Sequence, residues 1–163
     1  MIIVVTGLPG SGKSFFASRL ATAIHAEYIS SDRLRKKMIE RRTYSTEEKE
    51  LVYDEMLKLV HKAVKQNKSL VLDATYYKAE TRNKFREEIK DAGTIVIIEI
   101  IAGEALIKAR MQSPREESEA DFTVYKAIQQ QWEPIKEQHL ILQSTNDNIE
   151  SMLKTAINYL HSK

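Results

Sequence analysis

Cysteine is absent from this 163-residue chain. Disulfides, thiolate metal sites and cysteine nucleophiles are excluded with it. Histidine is sparse, and His25, His61, His139 and His161 lie far apart. They show no ligand spacing, so each reads as structural. Charge of one sign is also lacking. Twenty-five Lys and Arg stand against 23 Asp and Glu, for a net charge of +2. That excess is too small to imply nucleic-acid binding by itself. The longest apolar run, Thr94 to Ala102, is interrupted by Glu99 and is far too short to span a bilayer. The first residues have no basic region and no cleavage site, and a glycine-rich loop begins at Gly7. A cleaved leader would sacrifice that loop, so a cytoplasmic protein is expected.

What remains is the composition of a globular protein, 42% hydrophobic and 29% charged. Its length suits one domain, 1–163, with a substantial core. No repeat or low-complexity segment interrupts it. Extended and helical patterns alternate. "IIVVT" (Ile2 to Thr6) reads as a parallel strand buried on both faces. Lys13 to Ile24 follows as a helix, "EYIS" as a second strand, and Ser31 to Arg42 as a very basic helix. Ser45 and Glu48 form a capping box ahead of a helix reaching Gln66, with its apolar stripe at Val52, Met56, Leu59, Val60 and Ala63. "SLVLDAT" is a third strand, Lys78 to Asp91 a helix, and "TIVIIEIIA" a fourth strand. Glu104 to Gln112 is helical until Pro114 blocks it. Asp121 to Trp132 is helical, "HLILQS" is a fifth strand, and Asp147 and Glu150 cap a last helix. Five strands separated by helices imply an α/β fold: a parallel sheet with right-handed crossovers, covered on both faces. Ligands of such sheets sit at the carboxyl ends of the strands.

The scarce glycines concentrate at one such end. Gly7-Leu8-Pro9-Gly10-Ser11-Gly12-Lys13-Ser14 satisfies G-x-x-x-x-G-K-[ST] between a strand and a helix, and holds three of the chain's five glycines. Glycine lets backbone N–H groups turn inward on phosphate oxygens, and the helix adds its unpaired donors and positive dipole end. Lys13 is expected to bridge the β- and γ-phosphates of ATP, and the Ser14 hydroxyl to bind Mg²⁺. Phe15 stands where a dinucleotide fingerprint needs its third glycine.

Elimination narrows the chemistry. Asn67-Lys68 is followed by Ser69-Leu70, so the guanine-reading Asn-Lys-x-Asp is incomplete. Asp73 is followed by Ala74, where a hydrolytic motor usually carries a water-polarising Glu. A small kinase fits what is left. Its acceptor hydroxyl needs orientation and a proton acceptor. Asp32, just after the second strand, is placed for that role; the alternative is the N-terminal cap or a first-turn anion of the basic helix. Arg35, one turn on, is placed to clamp an acceptor phosphate. Asp73 is a candidate Mg²⁺ partner through water, or else a turn residue. Arg82 is either an acceptor contact or a salt-bridge partner. "ALIKARMQSPREESEAD" reads as a helical lid, about 103–122, from which Arg110 and Arg115 would reach the nucleotide as internal arginine fingers. Trp132 suits adenine stacking or core packing.

Together, "GLPGSGKS", "ISSDRLRKKM", "YSTEE…VYDEM", "SLVLDAT…R" and "SEADFTVY…QWEPI" resemble the polynucleotide-kinase-like branch of small P-loop kinases, from Ile2 to about Thr145. That group includes 5′-hydroxyl polynucleotide kinases. It also includes AAA-type ATP-binding domains attached to aminoglycoside-phosphotransferase-like proteins, to which "YSTEE" and "SEAD" are closest. The resemblance implies a P-loop NTPase three-layer sandwich with strand order 2-3-1-4-5. It implies Lys13 and Ser14 as nucleotide and metal residues, Asp32 as general base, Arg35 as the acceptor-phosphate contact and Arg110 as a lid arginine on ATP. Pro114, before Arg115, departs from the lid pattern. The function expected is an ATP- and Mg²⁺-dependent kinase of a hydroxyl. The acceptor is a 5′-hydroxyl polynucleotide end, with a short nucleic-acid contact, or a sugar, metabolite or antibiotic. A nucleotide-dependent switch with little chemistry is the other class.

Overall fold

A computed structural model describes residues 1–43, 45–112 and 120–163. Strand β1 (Ile2–Thr6) is buried along its whole length, as an all-apolar central strand must be. The parallel sheet adds β2 (Glu27–Ser30), β3 (Leu70–Asp73), β4 (Ile95–Ile101) and β5 (Leu140–Gln143), in the order β2-β3-β1-β4-β5. The order implied by the resemblance is the observed one. Helices α1 (Lys13–Ala23), α2 (Ser31–Met38), α3 (Thr46–Lys65), α4 (Ala79–Ile89), α5 (Glu104–Met111), α6 (Phe122–Gln130) and α7 (Ile149–His161) connect the strands.

Alternation along each strand divides the core into two layers. Ile3, Val5, Val71, Ile98 and Ile100 face α1 and α7, meeting Phe16, Leu20, Met152 and Leu160. Ile2, Val4, Leu70 and Leu72 face α3 and α4, meeting Val52, Met56, Val60, Phe85 and Ile89. Each such side chain, fully buried, contributes roughly 1.5–3 kcal/mol.

Register places the site. Val5 aligns with Asp73, and Asp73 with Ser30. The glycine loop after β1, the carboxylate ending β3 and the helix after β2 therefore emerge side by side, at strand spacings of about 4.8 Å.

Three local expectations shift. Helix α2 stops at Met38 rather than Arg42, because Ile39 is extended (φ −126°, ψ 109°). Ser45 Oγ accepts from Glu48 N at 3.2 Å, but the Glu48 carboxylate reaches Thr43 N at 2.6 Å, so only half of the capping box forms. Asn148, not Asp147, stands at the N-cap of α7, and Asp147 accepts from Thr145 Oγ1 at 2.8 Å. Among the described residues no helix is long and apolar enough to cross a membrane.

Candidate active site

Gly7, Gly10 and Gly12 all have positive φ, at 148°, 79° and 95°. All three are also closely approached, Gly10 by the Ile107 and Met111 side chains at 2.9 and 3.0 Å from the position of an added Cβ. A Cβ on Gly7 would strike the Ile100 carbonyl oxygen of β4, and one on Gly12 would lie 3.0 Å from Ser144 Oγ. Ser11 N donates to Leu8 O at 3.1 Å, closing a turn between Leu8 and Ser11. Gly12 is the N-cap of α1, with no side chain over the helix end. The first-turn N–H groups are thus available to an anion. Lys13, the first residue of α1, is buried.

Asp73 closes the adjoining strand, only 2% exposed. Its Oδ2 accepts from Tyr28 Oη at 2.9 Å, and its Oδ1 has no hydrogen-bond partner among the described residues. Burial pushes the carboxyl up from the ordinary range, while the Lys13 charge, the Ser14 hydroxyl nearby and the Tyr28 hydrogen bond pull it back down. Asp32 adds a smaller upward push. One carboxylate thus senses the cradle's lysine, its serine and the aspartate beyond β2. A buried, unpartnered oxygen beside a serine hydroxyl suits Mg²⁺, which takes one or two carboxylates and completes its shell with water and substrate phosphates. Among the described residues no group of three or more His, Cys, Asp or Glu is placed to hold a metal ion.

Asp32 stands in the first turn of α2, as the alternative reading allowed, but is not its cap. Ser30 accepts from Arg33 N at 3.4 Å and takes that position. The Asp32 carboxylate, a quarter exposed, instead pairs with Arg35 Nη1 at 3.0 Å. Arg35 is buried, and its Nε lies 2.9 Å from Glu48 Oε1 of α3. Tyr53 lies among these groups and stacks on Tyr76 at 5.1 Å between ring centroids. Burial pushes its phenol up to about 12, so it stays a neutral donor.

The remaining candidates divide. Arg110 donates to Ser11 O at 3.0 Å, Ser144 Oγ at 3.1 Å and Thr145 O at 2.7 Å. It ties the glycine loop to the β5–α7 loop. Burial lowers the guanidinium's pKa, though not enough to neutralise an arginine. Arg115 lies outside the described residues. Trp132 is half-buried at the wall of a cavity of about 230 Å³, shared with Leu8, Ser11, Ile107 and Tyr125.

Arg82 meets backbone rather than a carboxylate. It donates to Tyr76 O at 2.8 Å and to Glu133 O and Pro134 O at 2.7 and 3.2 Å. Tyr76 has φ 44°, a left-handed conformation costly for an aromatic residue. Arg82 thus pins the strained loop that follows Asp73. Arg82→Ala is expected to destabilise the fold by about 1–3 kcal/mol, the scale of charged hydrogen bonds to partly buried carbonyls. Urea unfolding checks this. Were Arg82 an acceptor contact only, stability would hold while acceptor KM rose.

The sequence profile of the AAA domain family AAA_33 matches residues 2–135. The chain belongs to the AAA_33 family. Solved structures share the fold of this AAA_33 domain at low identity. A sugar kinase from Janibacter sp. HTCC2649 is 17% identical with a TM-score of 0.77, covering 98% of this chain and 94% of that one. A gluconokinase from Sinorhizobium meliloti 1021 is 18% identical with a TM-score of 0.74, covering 98% and 91%. The Mycobacterium tuberculosis APS kinase CysC, in complex with AMPPNP and APS, is 21% identical with a TM-score of 0.66, covering 98% and 96%. Comparison with curated proteins found no match. In this AAA_33 domain three site-lining residues went unread in the sequence: Tyr28, Glu48 and Tyr53. Glu48 carried a signal as half of a capping box. The two tyrosines carried none, since strand and helix interiors both accept aromatics.

Proposed function

We propose that this AAA_33 domain transfers the γ-phosphoryl group of ATP to an acceptor hydroxyl. The carrying observation is the placement of Asp73, buried at the end of β3 and in register with Val5, just before the glycine loop, and with Ser30, just before Asp32. Lys13 and the glycine-loop N–H groups hold the phosphates. Ser14 and Asp73 would hold Mg²⁺, which when bound neutralises charge on the phosphates. Asp32 orients the hydroxyl and takes its proton late in a loose transition state. Positioning is thus its main contribution, as suits an ordinary weak carboxylate base. Arg110 fixes the glycine loop from behind.

For the acceptor, a sugar-like or other small-molecule hydroxyl is favoured. Kinases named for a sugar, for gluconate and for APS share the fold. The exposed Arg33 and Lys37 of α2 favour the second reading, a short contact with a 5′-hydroxyl polynucleotide end.

Labelled ATP offered with sugars, nucleosides, aminoglycosides and 5′-hydroxyl oligonucleotides tests both. Label is expected on at least one hydroxyl acceptor and on none with Lys13→Ala. ATP binding without any labelled acceptor would leave a nucleotide-dependent switch.

A further inference from the structure

On the kinase reading Arg35 belongs to the acceptor side, yet its guanidinium is engaged on two sides by carboxylates. Nη1 lies 3.0 Å from Asp32 Oδ1 and Nε lies 2.9 Å from Glu48 Oε1. The Arg35 and Glu48 side chains are 8% and 5% exposed, against 25% for Asp32. Glu48 is itself held, since its Oε2 accepts from Thr43 N at 2.6 Å and from Thr43 Oγ1 at 3.1 Å. A chain of charge therefore runs from the start of α3, through α2, to the one member of the three that solvent reaches.

Two consequences follow from elementary electrostatics. The guanidinium is planar, so the close ion pair with Glu48 on its Nε side, which is not aligned as a hydrogen bond, limits the tilt of the plane from which Nη1 donates to Asp32. Asp32 is thereby oriented through a rigid partner rather than by its own torsions. Moreover, two carboxylates flank one guanidinium, leaving the trio with a formal charge of −1. A phosphate arriving at Arg35 would have to displace a carboxylate or lie against one, and like charges at such range are unfavourable.

We propose that Glu48 is a positioning residue that commits Arg35 to Asp32, and that the acceptor is a neutral hydroxyl compound carrying no phosphate at the Arg35 end. This rests on the kinase reading above and names its substrate class. It also changes the role of Arg35, from a clamp on acceptor phosphate to an orienting bridge.

The test pairs acceptors that differ by one phosphate, such as thymidine with thymidine 3′-monophosphate, and sugars with their monophosphates. The wild-type protein is compared with Glu48→Gln and Arg35→Lys. The wild type is expected to favour the unphosphorylated member of its best pair by at least about tenfold. Glu48→Gln keeps the side-chain shape and is expected to lower kcat by on the order of 100-fold, the scale of a 1 Å misplacement. Its KM for ATP should stay within about twofold, a split that general loosening of the fold would not give. Arg35→Lys keeps the charge but loses the fork, and should fall as far as Glu48→Gln. A bidentate phosphate clamp would instead lose affinity for the phosphorylated acceptor alone, with kcat for the unphosphorylated one kept. Preference for the phosphorylated acceptor, or wild-type kcat in Glu48→Gln, overturns the proposal.

Transfer to no acceptor by the wild-type protein refutes the kinase reading and the substrate class together. The positioning role is then decided by crystal structures of the wild-type protein and Glu48→Gln. Separation of Asp32 from Arg35 in the variant supports it, and an unchanged pair overturns it. Should Glu48→Gln fail to fold, Arg35→Lys carries both the kinetic and the crystallographic comparison.

Discussion

Asp32→Asn will cut phosphoryl transfer by on the order of 10²- to 10⁴-fold while leaving ATP affinity nearly unchanged. The substitution keeps size and shape, so the fold has little to accommodate. What it removes is a proton acceptor and a charge-assisted partner for Arg35, 3.0 Å away. The phosphate cradle lies two strands away, beyond β3 in the order β2-β3-β1. Its glycines and Lys13 do not depend on the Asp32 carboxylate. Calorimetric titration with ATP and a labelled-transfer assay separate the two quantities. Loss of ATP binding with retained turnover would move Asp32 to the nucleotide side and undo the assigned role.

Gly7→Ala will abolish ATP binding and lower stability. Its φ of 148° suits glycine and strains an L residue. The added Cβ would also strike the Ile100 carbonyl oxygen, with Ser11 Oγ 2.9 Å away. Neither the β4 backbone nor the cradle has a flexible end to give. Backbone strain of about 1–3 kcal/mol is therefore joined by a steric clash, and the loop must move off its phosphate-binding shape. Gly103→Ala is the matched control, with nothing within 4 Å of its Cβ position and an ordinary φ of −63°. It stands at the N-cap of α5, where alanine caps less well than glycine, so a loss of about 0.5–1 kcal/mol is expected with ATP binding kept. Thermal melts with and without ATP distinguish the pair. Equal behaviour of the two variants would contradict the cradle geometry.

Some of this was legible in the chain and some was not. β1 announced itself because five consecutive apolar or β-branched residues suit only a strand buried on both faces. The cradle was legible because glycine is rare here and clusters at one strand end. The stop of α2 was hidden, since a run of basic residues has no apolar period to end. Glu48 was half-hidden. A capping box is local grammar, whereas Arg35 lies thirteen positions upstream and competes for the same carboxylate. Arg82 and Arg110 reach mostly backbone carbonyls, which every residue carries, so no side-chain pattern marks their targets. Trp132 offered an adenine contact or core packing. It borders a cavity that also reaches Leu8 of the glycine loop.

Asp73 has a consequence for the empty protein. Burial raises its carboxyl pKa above the unfolded value. The neutral form's contribution to stability is therefore complete at acidic pH and disappears as pH climbs through the raised value. Above that raised value the chain without nucleotide holds an ionised oxygen in its sheet, offset only by neighbours such as Lys13 and Tyr28. On the kinase reading, magnesium and nucleotide supply what is missing, and occupancy at 100 times Kd adds about 2.7 kcal/mol. The folded population would then follow the energy charge of its surroundings, with starved conditions leaving the chain most exposed to proteolysis.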